Sequence, residues 1–230
     1  MPMLAVLSAV AGFVDAACFL ALSEVFTAHV TGNFAALASA LVKPDVATLL
    51  RLAVIASFAI GAASAVVAAH GAGADEREPD AGAAARVQRA VIGVEVVWLA
   101  LVLVAYAVLP GPLDAAHPLV RFAVASFAGA AMGCQSALSK LPRGAALDAP
   151  TTVMTSNFTA WVMALATRLI VRRARRPGDR TLGPRSLQLA LFLAGAAAGA
   201  FGVHRLGIGA MVLPLAVLLV ILVSRLQRAA

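Results

Sequence analysis

Long runs of apolar residues, interrupted by short polar stretches, dominate the chain. The runs cover roughly 3–22, 34–43, 46–70, 90–109, 119–139, 157–171, 186–204 and 206–224. Several are close to 20 residues long and contain at most one charge, and a helix needs about 20 apolar residues to cross about 30 Å of hydrocarbon. The pattern predicts an all-α, polytopic membrane helix bundle in a single domain, 1–230.

A short polar phrase occurs twice within this apolar sequence. The first copy is Thr27-Ala-His-Val-Thr-Gly-Asn-Phe-Ala-Ala36 and the second is Thr151-Thr-Val-Met-Thr-Ser-Asn-Phe-Thr-Ala160, with five of ten positions identical at a spacing of 124 residues. An apolar run follows each copy. We interpret the phrases as extended polar segments that each lead into a short half-helix, as in the discontinuous helices of membrane transporters.

The similarity between the halves extends beyond these phrases. The stretch Gly61–His70 aligns with Gly195–His204. Asp15 falls on Ser136 in the same comparison. We therefore predict two internal repeats, 1–110 and 117–228.

The topology depends on the two short runs after the phrases. If both are re-entrant, the chain has six spans and inverted repeats; if both cross, it has eight spans and parallel repeats. The inverted arrangement places 14 of the 18 basic residues in the cytoplasm and the parallel one 12, which mildly favours inversion by the positive-inside rule. Both arrangements put both termini in the cytoplasm, with 71–89 as a polar loop and 168–185 as a basic cytoplasmic loop.

Composition supports a membrane protein and argues against other classes. The chain is 62% hydrophobic and 13% charged, whereas soluble domains carry about 25% charged residues. Seven arginines of the basic loop supply much of the net charge of +7, so we expect a membrane anchor and no nucleic-acid partner. No enzyme motif, paired cysteine ligands or histidine cluster occurs. We expect no enzymatic activity, no cofactor and no metal.

The polar phrases contain the first group of candidate binding residues. Asn is a preferred N-cap, and the first turn of a helix has free N–H groups that can bind an anion or a polar solute. We therefore predict that Asn33 and Asn157 cap two half-helices that face each other near the middle of the membrane. The neighbouring contacts would come from Thr31, Gly32, Thr155 and Ser156. The alternative is that both phrases only cap and pack helices.

Four polar side chains outside the caps are further candidates. Asp15 lies in the middle of the first apolar run, where a carboxylate costs about 3 kcal/mol and usually faces a cavity or a partner. We expect Asp15 and Gln135 to line the same cavity. Asp15, Glu95 or His29 could couple transport to protons, and a structural role is the alternative for each.

The same residues resemble a known family. Gly12-Phe-Val-Asp-Ala-Ala-Cys-Phe-Leu20, Phe26–Asn33, Met132–Ala137 and Pro150–Asn157 resemble the signatures of the YoaK-like family of bacterial inner-membrane proteins, a domain of unknown function. Ser136 and Ser156 stand where the family usually has Asn and Gly. The resemblance implies a multi-pass inner-membrane protein of about this size and supplies no substrate.

Together these observations predict a transporter or permease for a small anionic or polar solute in the bacterial inner membrane. The alternative is a non-transporting sensor or assembly protein, in which the polar phrases only cap and pack helices. The lipid bilayer is the expected partner. The small size of the bundle is compatible with a homodimer.

Overall fold

The computed structural model describes residues 2–43, 45, 47–74, 81–109, 113, 117–141, 147, 149–170 and 179–227. All regular elements in these ranges are helical, as predicted. The helices are α1 (Pro2–Ala21), α2 (Val30–Ala40), α3 (Thr48–Gly71), α4 (Ala81–Val108), α5 (Pro118–Ala137), α6 (Met154–Ile170), α7 (Asp179–Leu206) and α8 (Val212–Gln227), and a 3-10 turn, Gly207–Met211, joins α7 to α8.

Four stretches of the described chain are long and apolar enough to cross a membrane. They are Met3–Ala21, Thr48–Gly71, Gly82–Val108 and Leu182–Arg225. Large apolar side chains lie on the outside of these helices; Val67 is 72% exposed and Phe201 is 73% exposed. Such a surface suits lipid rather than water, so the chain is a multi-helix protein of the membrane type.

The backbones of α1 and α7 touch at glycines. A Cβ added to Gly12 would lie 2.2 Å from the carbonyl oxygen of Phe192, and one added to Gly195 would lie 2.1 Å from that of Ala9. No side-chain carbon fits at those distances. Because lipid supplies no hydrophobic force between helices, close packing of small residues holds such a pair together.

The helices α3 and α5 touch in the same way. A Cβ on Gly61 would lie 1.9 Å from the carbonyl oxygen of Ala130, and one on Gly133 would lie 2.0 Å from that of Phe58. The bundle therefore has two backbone-to-backbone helix pairs. Helix α5 also packs against α4, and most of its side chains are buried.

The C-terminal ends of α1, α4 and α7 meet at one end of the bundle, which we call the upper end. There Leu20, Ala21, Tyr106 and Val203 line a cavity of about 540 Å³. Gly207 ends α7 at the same place with φ +57°, a left-handed conformation that glycine adopts without strain.

Helix α5 runs in the opposite direction to α1. Near its start, Arg121 Nη2 donates a hydrogen bond of 2.6 Å to Ser23 Oγ, just beyond the end of α1. Near its end, Gln135 Nε2 donates a hydrogen bond of 2.7 Å to the carbonyl oxygen of Leu7, in the first half of α1. Helix α5 therefore begins at the upper end and finishes at the lower end.

Helix α3 also begins at the upper end. Trp98 Nε1 of α4 donates a hydrogen bond of 3.2 Å to Ser64 Oγ of α3, and α4 begins at Ala81, soon after α3 ends at Gly71, so the two are antiparallel. Since α4 finishes at the upper end, α3 runs downwards. Helices α1, α4 and α7 thus run upwards, and α3 and α5 run downwards.

Several boundaries differ from the sequence prediction. Helix α4 begins at Ala81, so residues 81–89 of the predicted polar loop are helical. Helices α6 and α7 take in both ends of the predicted basic loop, and residues 171–178 of that loop lie outside the described residues. Alanine and arginine, which are good helix formers, fill much of 81–89 and extend α4 beyond its apolar run.

Candidate functional site

The carboxylate of Asp15 holds the connection between α1 and α2. Its Oδ1 accepts hydrogen bonds from the backbone N–H groups of Thr27 and Ala28, both 2.7 Å, and from Thr27 Oγ1 at 3.3 Å. Asp15 lies six residues before the end of α1, which is about 9 Å along the helix. The chain therefore folds back beside α1 before α2 begins.

The imidazole of His29 binds the other oxygen of this carboxylate. His29 Nδ1 lies 2.6 Å from Asp15 Oδ2, and the side chain of His29 is 28% exposed. Its ring meets the ring of Phe192, on α7, edge-on with 5.7 Å between centroids. The hydrogen bond to Asp15 raises the pKa of His29, which lies in the connection outside the candidate spans, and partial burial opposes this change.

Asn33 has a different role from the predicted one. Helix α2 begins at Val30 with His29 at the N-cap, so Asn33 lies in the first turn and the predicted N-cap is wrong. Its Oδ1 accepts a hydrogen bond of 3.1 Å from the N–H of Phe26, and its Nδ2 donates one of 2.6 Å to the carbonyl oxygen of Phe26. Asn33 fastens the connection to the helix and is fully buried.

Gly32 leaves room for the ring of Phe26. A Cβ on Gly32 would lie 2.9 Å from Phe26 Cδ2. In the second phrase the corresponding residues are Pro150 and Ser156. Pro150 thus replaces Phe26, and Ser156 replaces Gly32. The proline ring is smaller than the phenylalanine ring, which fits the presence of a Cβ at Ser156.

In the second phrase Asn157 makes the contact equivalent to that of Asn33, with one hydrogen bond instead of two. Helix α6 begins at Met154, so Asn157 also lies in the first turn and is not an N-cap. Its Nδ2 donates a hydrogen bond of 2.7 Å to the carbonyl oxygen of Pro150, which also accepts one of 2.9 Å from Gln188 Nε2 of α7.

The end of α5 holds the connection before α6. Gln135 Nε2 donates a hydrogen bond of 2.8 Å to Thr151 Oγ1, in addition to its bond to Leu7. The hydroxyls of Ser136 and Thr152 lie 2.6 Å apart. Neutral side chains therefore do in this half what a carboxylate does in the first.

A cavity opens beside the first phrase, between α1, α7 and the start of α2. Its volume is about 540 Å³, within the usual range for small-molecule sites. The polar residues around it include Asp15, His29 and Thr31. Apolar and small residues form the rest of the wall: Gly12, Ala16, Phe19, Leu20, Phe26, Gly32, Phe192, Ala196 and Ala200. We call it the α1–α7 cavity.

The α1–α7 cavity includes only part of the predicted site. Gln135 bonds at the level of Leu7, eight residues and about 12 Å along α1 from Asp15. Within the described chain, α2 and α6 make no contact with each other. The members of the predicted site outside the cavity lining are the buried Asn33, Gln135 and Asn157 and the exposed Thr155 and Ser156.

Glu95 lies apart from the α1–α7 cavity, in the middle of α4. It is fully buried, and neither of its carboxyl oxygens has a hydrogen-bond partner in the described part of the chain. No three His, Cys, Asp or Glu side chains of the described ranges come together as a metal site requires.

Sequence reasoning did not select Phe192 and Gln188, both on α7. Phe192 aligns with Phe58 in the predicted repeat. The backbone carbonyl of each of these two residues packs directly against a glycine of the neighbouring helix. That alignment was the available signal. Gln188 carries no such signal because its partner, the Pro150 carbonyl, is a backbone group.

A family described as "Protein of unknown function (DUF1275)" matches residues 3–224. The chain belongs to this family. The match covers both polar phrases, and the narrower YoaK-like name stays a prediction. No curated protein and no solved structure matches the chain.

Proposed function

We propose that this DUF1275 member is a small-solute transporter or permease in the bacterial inner membrane, with both termini in the cytoplasm, and that it is not an enzyme. The observation that carries the proposal is the α1–α7 cavity. It lies where a polar connection folds back beside a membrane helix, and irregular backbone at such a depth is tolerated where it lines a cavity or is buried in protein. Transporters place their substrates at such broken elements.

Equivalent contacts support two internal repeats. The predicted alignment pairs Gly12 with Gly133 and Gly61 with Gly195. Each member of a pair touches the backbone of the other half: α1 touches α7, and α5 touches α3. The first helix of either half therefore packs against the third helix of the other half in the same way.

The helix directions support inversion of these repeats. Helix α1 finishes at the upper end and α3 begins there, so the segment with α2 leaves and returns at that end. Helix α5 finishes at the lower end and α7 begins there, so the segment with α6 leaves and returns at the lower end. Helix α2, with 11 residues, is also only about 17 Å long, too short to cross the hydrocarbon.

Uptake of solutes into proteoliposomes tests the proposed function. Ala196, on α7, lines the cavity, whereas Leu193 on the same helix is 67% exposed. We expect Ala196→Phe to fill the cavity and lower uptake at least tenfold, and Leu193→Phe to transport normally. The panel would contain carboxylic acids, amines, amino acids, sugars and nucleobases. Equal uptake by protein-free vesicles and by wild type, for every solute, would contradict transport.

One observation favours the alternative, a non-transporting sensor or assembly protein. Asn33 and Asn157 both bind backbone groups of the preceding connection and are buried, as expected of residues that only pack the fold. Under this alternative, Asn33→Leu lowers the melting temperature and no solute stabilises the wild-type protein. Under the transport proposal, at least one solute stabilises wild type and this gain is lost in Ala196→Phe.

A further inference from the structure

We infer that the α1–α7 cavity binds a carboxylic acid with an apolar body, and that His29 carries the proton that accompanies it. This inference rests on the proposed transport function and names the substrate class for the same cavity. It uses the Asp15–His29 pair, in which both residues line the cavity.

The walls of the cavity select an apolar body. Phe19, Phe26 and Phe192 contribute aromatic rings, and the small residues Gly12 and Ala196 leave space between them. A sugar or an amino acid would leave several polar groups unpaired against these walls, and a buried polar group without a partner is costly. A ligand with a single polar end avoids that cost.

Asp15 is not available to a cationic ligand. Its Oδ1 already accepts three hydrogen bonds, and its Oδ2 is bound to His29. An amine that took either oxygen would release a buried backbone N–H or the imidazole. The carboxylate therefore positions other groups and does not bind the ligand.

His29 is the side chain that can bind the polar end of the ligand. Its Nδ1 faces Asp15, and its Nε2 has no hydrogen-bond partner among the described residues. When the ring is protonated both nitrogens are donors, so Nε2 presents an N–H to an acceptor in the cavity. Thr31, which also lines the cavity, is the second residue of α2, where backbone N–H groups have no partner within the helix.

Charge balance links one proton to one acid molecule. The neutral acid gives its proton to neutral His29, and the imidazolium then lies between the ligand carboxylate and the carboxylate of Asp15. Release reverses the transfer, so acid and proton leave together. Cys18, beside Thr27, is a further ionisable group near this pair among the described residues. Helix α7 contributes the uncharged Phe192, Ala196 and Ala200 to the cavity.

The second half lacks this device. Val153 stands in the place of His29, Ser136 in the place of Asp15, and Pro150 in the place of Phe26. Its hydroxyls are bound to neighbouring side chains, Ser136 to Thr152 and Thr151 to Gln135. Proton-linked binding therefore belongs to the first half alone.

Binding of benzoate to the purified full-length protein tests the inference, with benzylamine and benzamide as probes of matched shape. We expect benzoate to bind at pH 6 and the other two to bind at least tenfold more weakly. Above the pKa of His29, which lies above the ordinary value of 6.5, the Kd of benzoate should rise about tenfold per pH unit because one proton is linked to binding. Below that pKa it should be constant.

The variant His29→Gln should bind benzoate at least tenfold more weakly and without this pH dependence. Its control is His204→Gln, at the other cavity, which should bind like wild type. Benzylamine binding as tightly as benzoate, or His29→Gln binding with the wild-type pH profile, would overturn the inference. To detect any loss of folding caused by the substitution itself, the melting temperature of each variant is measured without ligand. His29→Asn serves as a second replacement.

Binding of palmitate, compared with that of benzoate, distinguishes a fatty acid from the membrane from a small acid in solution as the ligand. Tight binding of palmitate but not benzoate would assign the cavity to fatty acids, and binding of benzoate alone would assign it to short aromatic acids. No binding of either acid would overturn the inference. If neither acid binds but another solute of the panel is transported, the inference fails and the proposed transport function stands. If an acid binds but no solute is taken up, the proposed transport function fails.

Discussion

Replacement of Asp15 tests whether its carboxylate holds the connection in place. Asp15→Val keeps a similar volume but removes every acceptor. The N–H groups of Thr27 and Ala28, each 2.7 Å from Oδ1, would then lose their partner in a buried environment. Each lost partner costs about 1–3 kcal/mol, so the two together should lower the free energy of unfolding by about 2–6 kcal/mol.

Asp15→Asn separates the acceptor from the charge. Its Oδ1 can still accept from both N–H groups, and the buried charge is removed. We expect a loss of no more than about 1–2 kcal/mol, since charged hydrogen bonds exceed neutral ones by roughly that amount. The counterpart variant Ser136→Ala breaks one bond, to the Thr152 hydroxyl, and should cost about 1 kcal/mol.

Reversible unfolding in mixed micelles, followed by tryptophan fluorescence, measures these three losses. Amide hydrogen exchange locates them: the N–H groups of Thr27 and Ala28 should lose protection in Asp15→Val and keep it in Asp15→Asn. Equal stability of the two Asp15 variants, or unchanged protection of these amides in Asp15→Val, would refute the role of the carboxylate as the acceptor for the connection.

Two further predictions concern packing and topology. In the same assay, Gly61→Ala should lower the free energy of unfolding by about 1–3 kcal/mol, because its Cβ would meet the carbonyl oxygen of Ala130 at 1.9 Å. The control Gly93→Ala, with open space around it, should raise this free energy by about 1 kcal/mol. The reverse order of stability would contradict the contact at Gly61. Membrane-impermeant thiol reagents on cells should label a cysteine at Lys43 and not one at Lys140 if the repeats are inverted, and the eight-span arrangement requires the opposite result.

The long apolar runs located the long helices because a membrane span is specified by length and composition, and these are visible in one sequence. It missed the helical character of 81–89, since alanine and glycine there carry little hydrophobic signal although they fit a helix that packs closely. The duplicated phrase correctly indicated where the chain departs from long helices. It misplaced the helix starts, because the preference of Asn for the N-cap is weaker than a two-bond contact with the backbone of Phe26.

The position of the cavity could not be read from the sequence. It depends on which helix packs beside α1, and this is decided by backbone contacts at Gly12 and Gly195, whose motif is common in membrane helices. Asp15 and His29 were visible as unusual polar residues. Their bond to each other follows from the fold-back of the connection, for which no local pattern exists.

The bond between Asp15 and its connection also bears on how the chain is made. Helix α7, the main neighbour of α1, is synthesised roughly 160 residues later, a delay of about 10–30 s at ordinary translation speed. During that time α1 is in the bilayer without its partner, with a carboxylate in the middle of an apolar helix. Among the described residues, the groups that bind this carboxylate all lie within the next 14 positions, so they are available as soon as the connection leaves the ribosome. We therefore expect α1 to insert into the bilayer without waiting for α7.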